Sequence, residues 1–519
     1  MELPTEVASF GWESLLPSAV AIGLAFLTRQ VFFALFMGIW LGAFLIAGIS
    51  GEGLLQSLLS VVDNYLIRAL VPEDGSLDHM SVVMFTLLVG GTIGIISANG
   101  GMNGVVQWLT RYADTRKKGQ FAAFGMGFLV FFDDYANTLI VGKTLRPLMD
   151  RLKISREKLA FIVDATAAPL ACIALITTWI GFQLSLIDDA TVDLGIEASS
   201  YELFLGSIPF SFYPILMLSF IFFMILMNRD YGPMHDYEMK ALNAPDDEQG
   251  KKDAAETGAI NAVLPILVLI VSTVGGLYMT GRGDDVEGIR EILGNADPFK
   301  SMLWASLLSL VTAVIISLWR KTLTAEKTVI AMEDGFKPML LAVMILTFAW
   351  AIAGVNKDLG TAQFLVSQIG DSVAPQWVPA IVFVMSAITA FSTGSSWGTM
   401  AILIPLVIPL SWHALESNGM ADVEHYYVIY AALASIMAGA VWGDHCSPIS
   451  DTTILSSLAS DCPHMNHVQT QMPYALIVAI IALVAGVIPA GFGVPSPILL
   501  AVGVGLVFLF LRHFGKPVT

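Results

Sequence analysis

Five aspartates, Asp133, Asp134, Asp164, Asp444 and Asp451, stand in stretches of sequence that are otherwise apolar. A charged Asp at the centre of a membrane helix costs roughly 2.5 to 3.5 kcal/mol on translocon scales, so five facing lipid would cost on the order of 12 to 18 kcal/mol. They must face protein or water, and a purely structural role for all five is hard to sustain. The nearby base in the first group is Lys143, and from Asp358 through Leu511 there is no Lys or Arg at all. Acids at membrane depth without basic partners want a cation or a proton.

The neighbouring residue types favour a hard cation. Asn137 and Thr138 follow Asp133 and Asp134 by four residues, which puts them on the same helical faces. Thr166, Thr393, Ser395, Ser396, Thr399, Ser447, Ser450, Thr452 and Thr453 add neutral oxygens. Carboxylates, amides, hydroxyls and unwound carbonyls suit Na⁺ better than a soft metal. Pro169 and Pro448 each remove a helical hydrogen bond and free a carbonyl upstream. Ion or proton binding is therefore expected of Asp133, Asp134, Asn137, Thr138, Asp164, Thr166, Asp444, Ser447 and Asp451, although Asp451 would equally serve as a cap for a helix starting at Thr452. Thr393, Ser395, Ser396, Trp397, Thr399, His445, Ser450 and Thr452 are expected to touch a substrate or support the ion site. His445 suits a proton relay or plain hydrogen bonding to its neighbours. Trp397 suits stacking on an organic solute or simple packing. Cys462, His464 and His467 with Cys446 match no standard zinc spacing, so neither zinc nor a resident cofactor is expected. Gly142, Lys143 and Thr144 resemble the end of a phosphate-binding loop, but Asn137 occupies the place of its required glycine.

The elements that would hold these residues are membrane helices. Of 519 residues, 55% are hydrophobic and 13% charged, about half the charge of a soluble domain. That excludes a soluble enzyme. The 43 acids against 26 bases, net −17, exclude nucleic acid as a partner. Three cysteines cannot form a disulfide framework. Basic loops at 111–118, 146–158, 229–252 and 320–337 belong in the cytoplasm, and the acidic loops at 49–80 and 188–202 outside. Two basic flanks around 121–146 predict a re-entrant hairpin with Asp133 and Asp134 at its tip, the alternative being two short full crossings.

The order of features between 97 and 187 recurs between 353 and 455: a polar break, an amphipathic stretch, a hairpin with a polar tip, and a helix broken at an Asp followed by a Pro. The loops of the second set lack bases, so the two repeats read as inverted, a known construction of secondary transporters. The expectation is an all-α polytopic membrane protein of about 11 transmembrane helices plus two re-entrant hairpins, with broken helices in both repeats. Its parts are scaffold helices at 1–79, a first repeat at 80–187 (hairpin 120–146, broken helix 157–187), scaffold helices at 188–337 with a mobile polar linker at 228–256, a second repeat at 338–455 (hairpin 377–411, broken helix 426–455), and C-terminal helices at 456–519. Arg512 and His513 place the C-terminus in the cytoplasm.

Three strings carry a likeness: Phe131 to Asn137 with its two aspartates; Thr393, Gly394, Ser395, Ser396, Trp397, Gly398 and Thr399; and Trp442 through Thr453, containing Asp444, His445, Ser447 and Pro448. They resemble the NhaC-type family of sodium/proton antiporters, and the likeness continues through His464, His467, Thr470, Gln471, Pro473 and Tyr474. The resemblance implies a prokaryotic inner-membrane location, a homodimer, a mobile transport domain that moves like an elevator, and use of the sodium gradient. It leaves open Na⁺/H⁺ exchange or Na⁺-coupled movement of a small amino acid or carboxylate, and it implies no enzymatic activity.

Overall fold

The computed structural model describes residues 10–28, 30–48, 51–71, 77–110, 113–131, 133–191, 194–244, 258–282, 296–361, 374–448 and 450–518, with 292 and 364. The chain is built almost wholly of helices, as its long apolar runs require: in a bilayer every backbone amide must be paired within the protein. The helices that position the site or frame it are α1 (Leu16–Thr28), α2 (Val31–Ala47), α3 (Asp78–Ala98), α4 (Arg116–Leu129), α5 (Asp134–Arg151), α6 (Arg156–Ile173), α7 (Thr178–Thr191), α8 (Phe212–Met227) and α9 (Pro233–Leu242). The later ones are α10 (Ile260–Gly281), α11 (Pro298–Trp319), α12 (Ala325–Asp358), α13 (Val378–Thr393), α14 (Ser396–Ser417), α15 (Tyr426–Cys446), α16 (Asp451–Ser460), α17 (His464–Ala482) and α18 (Ser496–Phe514).

Among the described residues nine helices are long and apolar enough to cross a membrane, or up to 11 if each bent pair is one span. The bent pairs are α6 with α7, at 42°, and Ser200–Phe210 with α8, at 45°. Those 11 include α14 and the span Pro375–Thr393, which contains α13, and leave out α1 and α2. The number therefore agrees with the expectation while the helices behind it differ.

Local chemistry explains where the helices stop. α6 begins at Ser155, whose hydroxyl accepts from the Lys158 N–H, and Glu157 lies in its first turn. Its helical geometry ends at Ala174, which is extended. Gly394 ends α13 in the left-handed conformation at φ +66°, which only glycine adopts without strain. Ser395 immediately caps α14 by accepting from Gly398 N–H at 3.1 Å. α15 ends at Ser447 and Pro448, and the Ser450 side chain caps α16. The cap is thus Ser450 rather than Asp451, which is the first helical residue.

The halves interlock. α16, the piece beyond the second break, packs on α5 and α6, and α7, the piece beyond the first break, packs on α14. α13 lies along α15 at very short range: a Cβ on Gly443 would sit 2.5 Å from both the Ala387 oxygen and the Phe391 nitrogen. Gly90 and Gly94, a small-residue pair in the sequence, serve the same purpose where α3 meets α12, since a Cβ on Gly94 would lie 2.1 Å from the Ala331 oxygen.

The expected mobile linker is corrected in its first half. Arg229–Asp230 forms a short antiparallel pairing with Lys516–Pro517, and α9 follows it. Asp230 and Glu238 are fully buried, as is Lys158 at the start of α6. Lys158 Nζ lies 2.6 Å from Asp230 and 3.7 Å from Glu238. The Tyr474 hydroxyl donates to Asp230 at 2.9 Å, the Ser155 N–H donates to Glu238 at 2.7 Å, and Arg116 pairs with Glu238 at 2.5 Å. Burial of paired charges orders this segment, a long-range effect that its polar composition conceals. Residues 245–257, which hold Asp246, Asp247, Glu248, Lys251 and Lys252, lie outside the described residues.

Candidate functional site

Asp444 sits in the last turn of α15, 2% exposed. Three hydroxyls from two other helices and the break converge on its carboxylate. Ser450 donates to Oδ1 at 2.5 Å, while Ser396 at the start of α14 and Thr452 on α16 donate to Oδ2 at 3.3 and 3.2 Å. The polar tip of the second helix pair and the broken helix therefore meet at one carboxylate. Ser447, also buried, closes the break through its N–H, which lies 3.0 Å from the Gly443 oxygen and 3.2 Å from the Asp444 oxygen.

Asp164, in the middle of α6 and 1% exposed, has a different shell. Gln471 Nε2 donates to its Oδ2 at 2.7 Å, His467 Nε2 lies 3.2 Å from the same oxygen, and the Thr453 hydroxyl lies 3.3 Å away. Its Oδ1 is buried without a hydrogen-bond partner. Gln471 also bonds to the His445 carbonyl. His445 Nδ1 is 2.8 Å from the Tyr213 hydroxyl, and its ring is parallel to that of Phe161. Thr453 links the two centres, since its hydroxyl is also 3.3 Å from the Asp444 backbone oxygen.

Asp133 and Asp134 lie where α4 turns into α5. Asp133 accepts from the Thr178 hydroxyl at 3.1 Å, just past the break between α6 and α7. Asp134 is buried close to Asp133, Asp444 and the indole of Trp179. Lys143, the base expected near them, points to the exposed side of α5.

Several expected oxygens are turned elsewhere. Asn137 Nδ2 donates to the Gly127 and Thr166 carbonyls at 3.0 and 3.2 Å, and so ties the two arms to α6. Thr138 bonds to the Tyr135 carbonyl, Thr166 to Ile162, Thr393 to Thr389 and Thr399 to Ser395. Helical Thr hydroxyls are readily captured this way by the preceding turn. Trp397 is buried against Phe182 and Trp179, with ring centroids 4.8 and 5.7 Å apart, which is the packing role. Asp451 begins α16, and its side chain lies outside the described residues, as does Phe132. Among the described residues no three His, Cys, Asp or Glu groups come together as a metal-binding set. A hard cation would therefore be held by one or two carboxylates with hydroxyl and carbonyl oxygens. Burial raises the pKa of Cys462, which keeps that loop thiol in its protonated form.

Thr178, Tyr213, His467 and Gln471 were not among the expected site residues, and Thr453 was noted only as a neutral oxygen. One signal was available: His467 and Gln471 are four apart on one helix and so share a face.

A family model described as Na⁺/H⁺ antiporter family matches residues 170–488, more than half of the chain. The chain belongs to the Na⁺/H⁺ antiporter family. The matched region holds Ser396, Asp444, Ser450, Thr453, His467 and Gln471, whereas Asp133, Asp134 and Asp164 precede it. An uncharacterised protein of Haemophilus influenzae is 33% identical over 502 residues, 95% of this chain and 93% of its own length. A malate-2H(+)/Na(+)-lactate antiporter of Bacillus subtilis is 27% identical over 31% of this chain and 33% of its own. An arginine/ornithine antiporter of Halobacterium salinarum is 28% identical over 27% of each. Among solved structures, the YdaH transporter of Alcanivorax borkumensis aligns with TM-score 0.60 at 15% identity, covering 86% of this chain and 91% of that one. MtrF of Neisseria gonorrhoeae aligns with TM-score 0.53 at 15% identity, covering 85% of each. These two likenesses concern the fold. Membership of the family makes the chain a multi-pass membrane transporter.

Proposed function

We propose that this protein exchanges Na⁺ for H⁺ across a prokaryotic inner membrane. The observation that carries the reading is Asp444, a buried carboxylate at a helix break, ringed by the hydroxyls of Ser396, Ser450 and Thr452. A hydroxyl that donates to a carboxylate keeps lone pairs that a cation can use, and Asp134 adds a second buried carboxyl group nearby. Na⁺ binds the ionised carboxylates, and protonation of the buried acids releases it, so that Na⁺ binding and protonation exclude each other. Two inverted repeats, the second with loops free of bases, supply alternating access by an elevator-like movement within a homodimer whose C-terminus is cytoplasmic.

Proteoliposomes test this directly. Added Na⁺ drives H⁺ movement with no organic solute present; if nothing moves until an amino acid or a dicarboxylate is supplied, the exchange reading fails. A second reading, Na⁺-coupled carriage of a small amino acid or carboxylate, draws support from the names of the Bacillus and Halobacterium relatives. Against it, Ser395 is spent as a helix cap and Trp397 is packed inside the protein. Sodium-dependent thermal stabilisation increased further by one compound of a metabolite panel would favour the carrier.

A further inference from the structure

α16 carries a row of hydroxyls that leads away from the Asp444 centre. Thr452, Thr453, Ser456, Ser457 and Ser460 lie on the buried side of the helix, none more than 3% exposed, while Ile454 and Leu458 face outward. Small residues on such a face allow membrane helices to pack closely, but alanine would serve that purpose as well. Thr452 donates to Asp444, Thr453 bonds to Asp164, and Ser457 donates to the Ile454 carbonyl at 2.7 Å. The Oγ atoms of Ser456 and Ser460 are fully buried and have no hydrogen-bond partner among the described residues. A helical serine readily bonds the carbonyl one turn back. These two are turned away from their own helix instead, into the seam where α16 packs on α5 and α6.

Thr452, Ser456 and Ser460 are four residues apart, so they stand on one face, and each step along the helix is about 6 Å. Two O–H···O bonds in line, at about 2.8 Å each, span nearly the same distance. One water between successive hydroxyls therefore satisfies both. The row starts at Asp444 and ends at Asp461, which follows Ser460. There Arg156 Nη1 lies 2.6 Å and Arg146 Nη1 3.4 Å from the Asp461 carboxylate. Both arginines belong to the basic stretch 146–158 that is expected in the cytoplasm. Just short of that end the two helices touch, since a Cβ on Gly142 of α5 would lie 2.6 Å from the Ala459 Cβ.

Resting on the exchange reading, we propose that the seam between α16 and α5 is the route by which ions and water pass between Asp444 and the cytoplasm. Ser456 and Ser460 line it, and Asp461 with its two arginines closes its mouth. A hydroxyl carries both a donor and lone pairs, so the row offers oxygen ligands to a cation that sheds its hydration shell on the way to Asp444. From Thr452 to Ser460 the helix has no charged residue, which suits passage: a site on a conduction path must bind weakly enough to let the ion leave. The closure is light. The side chains of Arg146, Arg156 and Asp461 are 41, 42 and 56% exposed, and ion pairs so open to water contribute little. Opening requires that these pairs part and that α16 move off Gly142.

Single substitutions Ser456→Cys, Ser460→Cys and Ile454→Cys in the full chain test the route chemically. Inside-out membrane vesicles are treated, with Na⁺ present, with a membrane-impermeant cationic thiosulfonate. Adducts are located by peptide mass, so the native cysteines stay in place. Ser456→Cys and Ser460→Cys are modified from the cytoplasmic face, Ser460→Cys the faster. Ile454→Cys, on the outward apolar side, reacts at least about tenfold more slowly, the loss that one unit of raised thiol pKa imposes in apolar surroundings. Asp461→Asn, which weakens the closure, speeds modification of Ser456→Cys severalfold. The route is refuted if both buried positions stay unmodified, if Ile454→Cys reacts as fast as they do, or if they react only from the outer face of right-side-out vesicles. An unchanged rate with Asp461→Asn refutes the closure. Adduct formation needs no transport, so these outcomes are distinct from failure of the exchange reading, which shows as a wild type that moves no H⁺ when Na⁺ is added without organic solute.

Discussion

Lys158 offers a measurement whose size follows from the structure. Its ammonium is fully buried 2.6 Å from an equally buried Asp230 and 3.7 Å from Glu238. Lys158→Met keeps the bulk and removes the charge. Glu238 retains Arg116 at 2.5 Å and the Ser155 N–H at 2.7 Å, so its loss is minor. Asp230 is left with the Tyr474 hydroxyl at 2.9 Å, which cannot balance a buried negative charge. Breaking a buried pair by removing one partner costs about 3 to 5 kcal/mol, most of it the uncompensated charge left behind. Proteolysis of the transiently unfolded fraction in detergent, compared between variants, reads that loss. The companion change Asp230→Asn in the Lys158→Met background removes the stranded charge and keeps an acceptor for Tyr474. It should recover more than half of the lost stability, a strongly non-additive result. If Lys158→Met costs less than about 1 kcal/mol, a value typical of exposed pairs, or if the double variant is no better than the single, then the network is not what orders residues 228–242.

Ser450→Ala removes both the cap of α16 and the 2.5 Å donor to Asp444; a hydrogen bond to a charged group is worth about 1.5 to 3 kcal/mol, so Na⁺ affinity in a calorimetric titration with NaCl should fall roughly tenfold to a hundredfold. Gly443→Ala forces a Cβ to within 2.5 Å of backbone atoms of α13 and should destabilise by about 1 to 3 kcal/mol through overpacking, visible as a lowered midpoint in thermal unfolding. Trp397→Phe should retain Na⁺-driven H⁺ movement in proteoliposomes because the ring is packed against Phe182 and Trp179. Abolished transport with intact folding would instead favour a solute-stacking role.

The helix breaks and the buried acids were legible because each violates the apolar pattern around it. Asp164 and Asp444 carry an energetic penalty that marks them without any structure, and Gly394 and Pro448 punctuate the chain locally. The roles of individual oxygens were not legible. Thr138, Thr166, Thr393 and Thr399 have the right type and place, but their hydroxyls are taken by the backbone one turn earlier, and sequence alone cannot show which hydroxyl escapes that capture. Ser396, Ser450 and Thr452 do escape it, since they stand at helix starts where no preceding turn offers a carbonyl. The partners of Asp164 come from some 300 residues away, beyond any reading of local spacing. The same distance hid Lys158 and Asp230, whose neutralisation turns a stretch of polar composition into ordered structure.

The Lys158 network and the Asp164 centre share two helices. α6 carries Lys158 and Asp164, six residues or about 9 Å apart along its axis; α17 carries Tyr474, which reaches the first through Asp230, and His467 and Gln471, which reach the second. Asn466 adds a bond from α17 to Glu157. Two struts at different heights resist sliding and pivoting alike, so α6 and α17 form one beam. In the elevator-like movement proposed above, α6 and α17 would travel as one body, and the surface of sliding would lie elsewhere than between them.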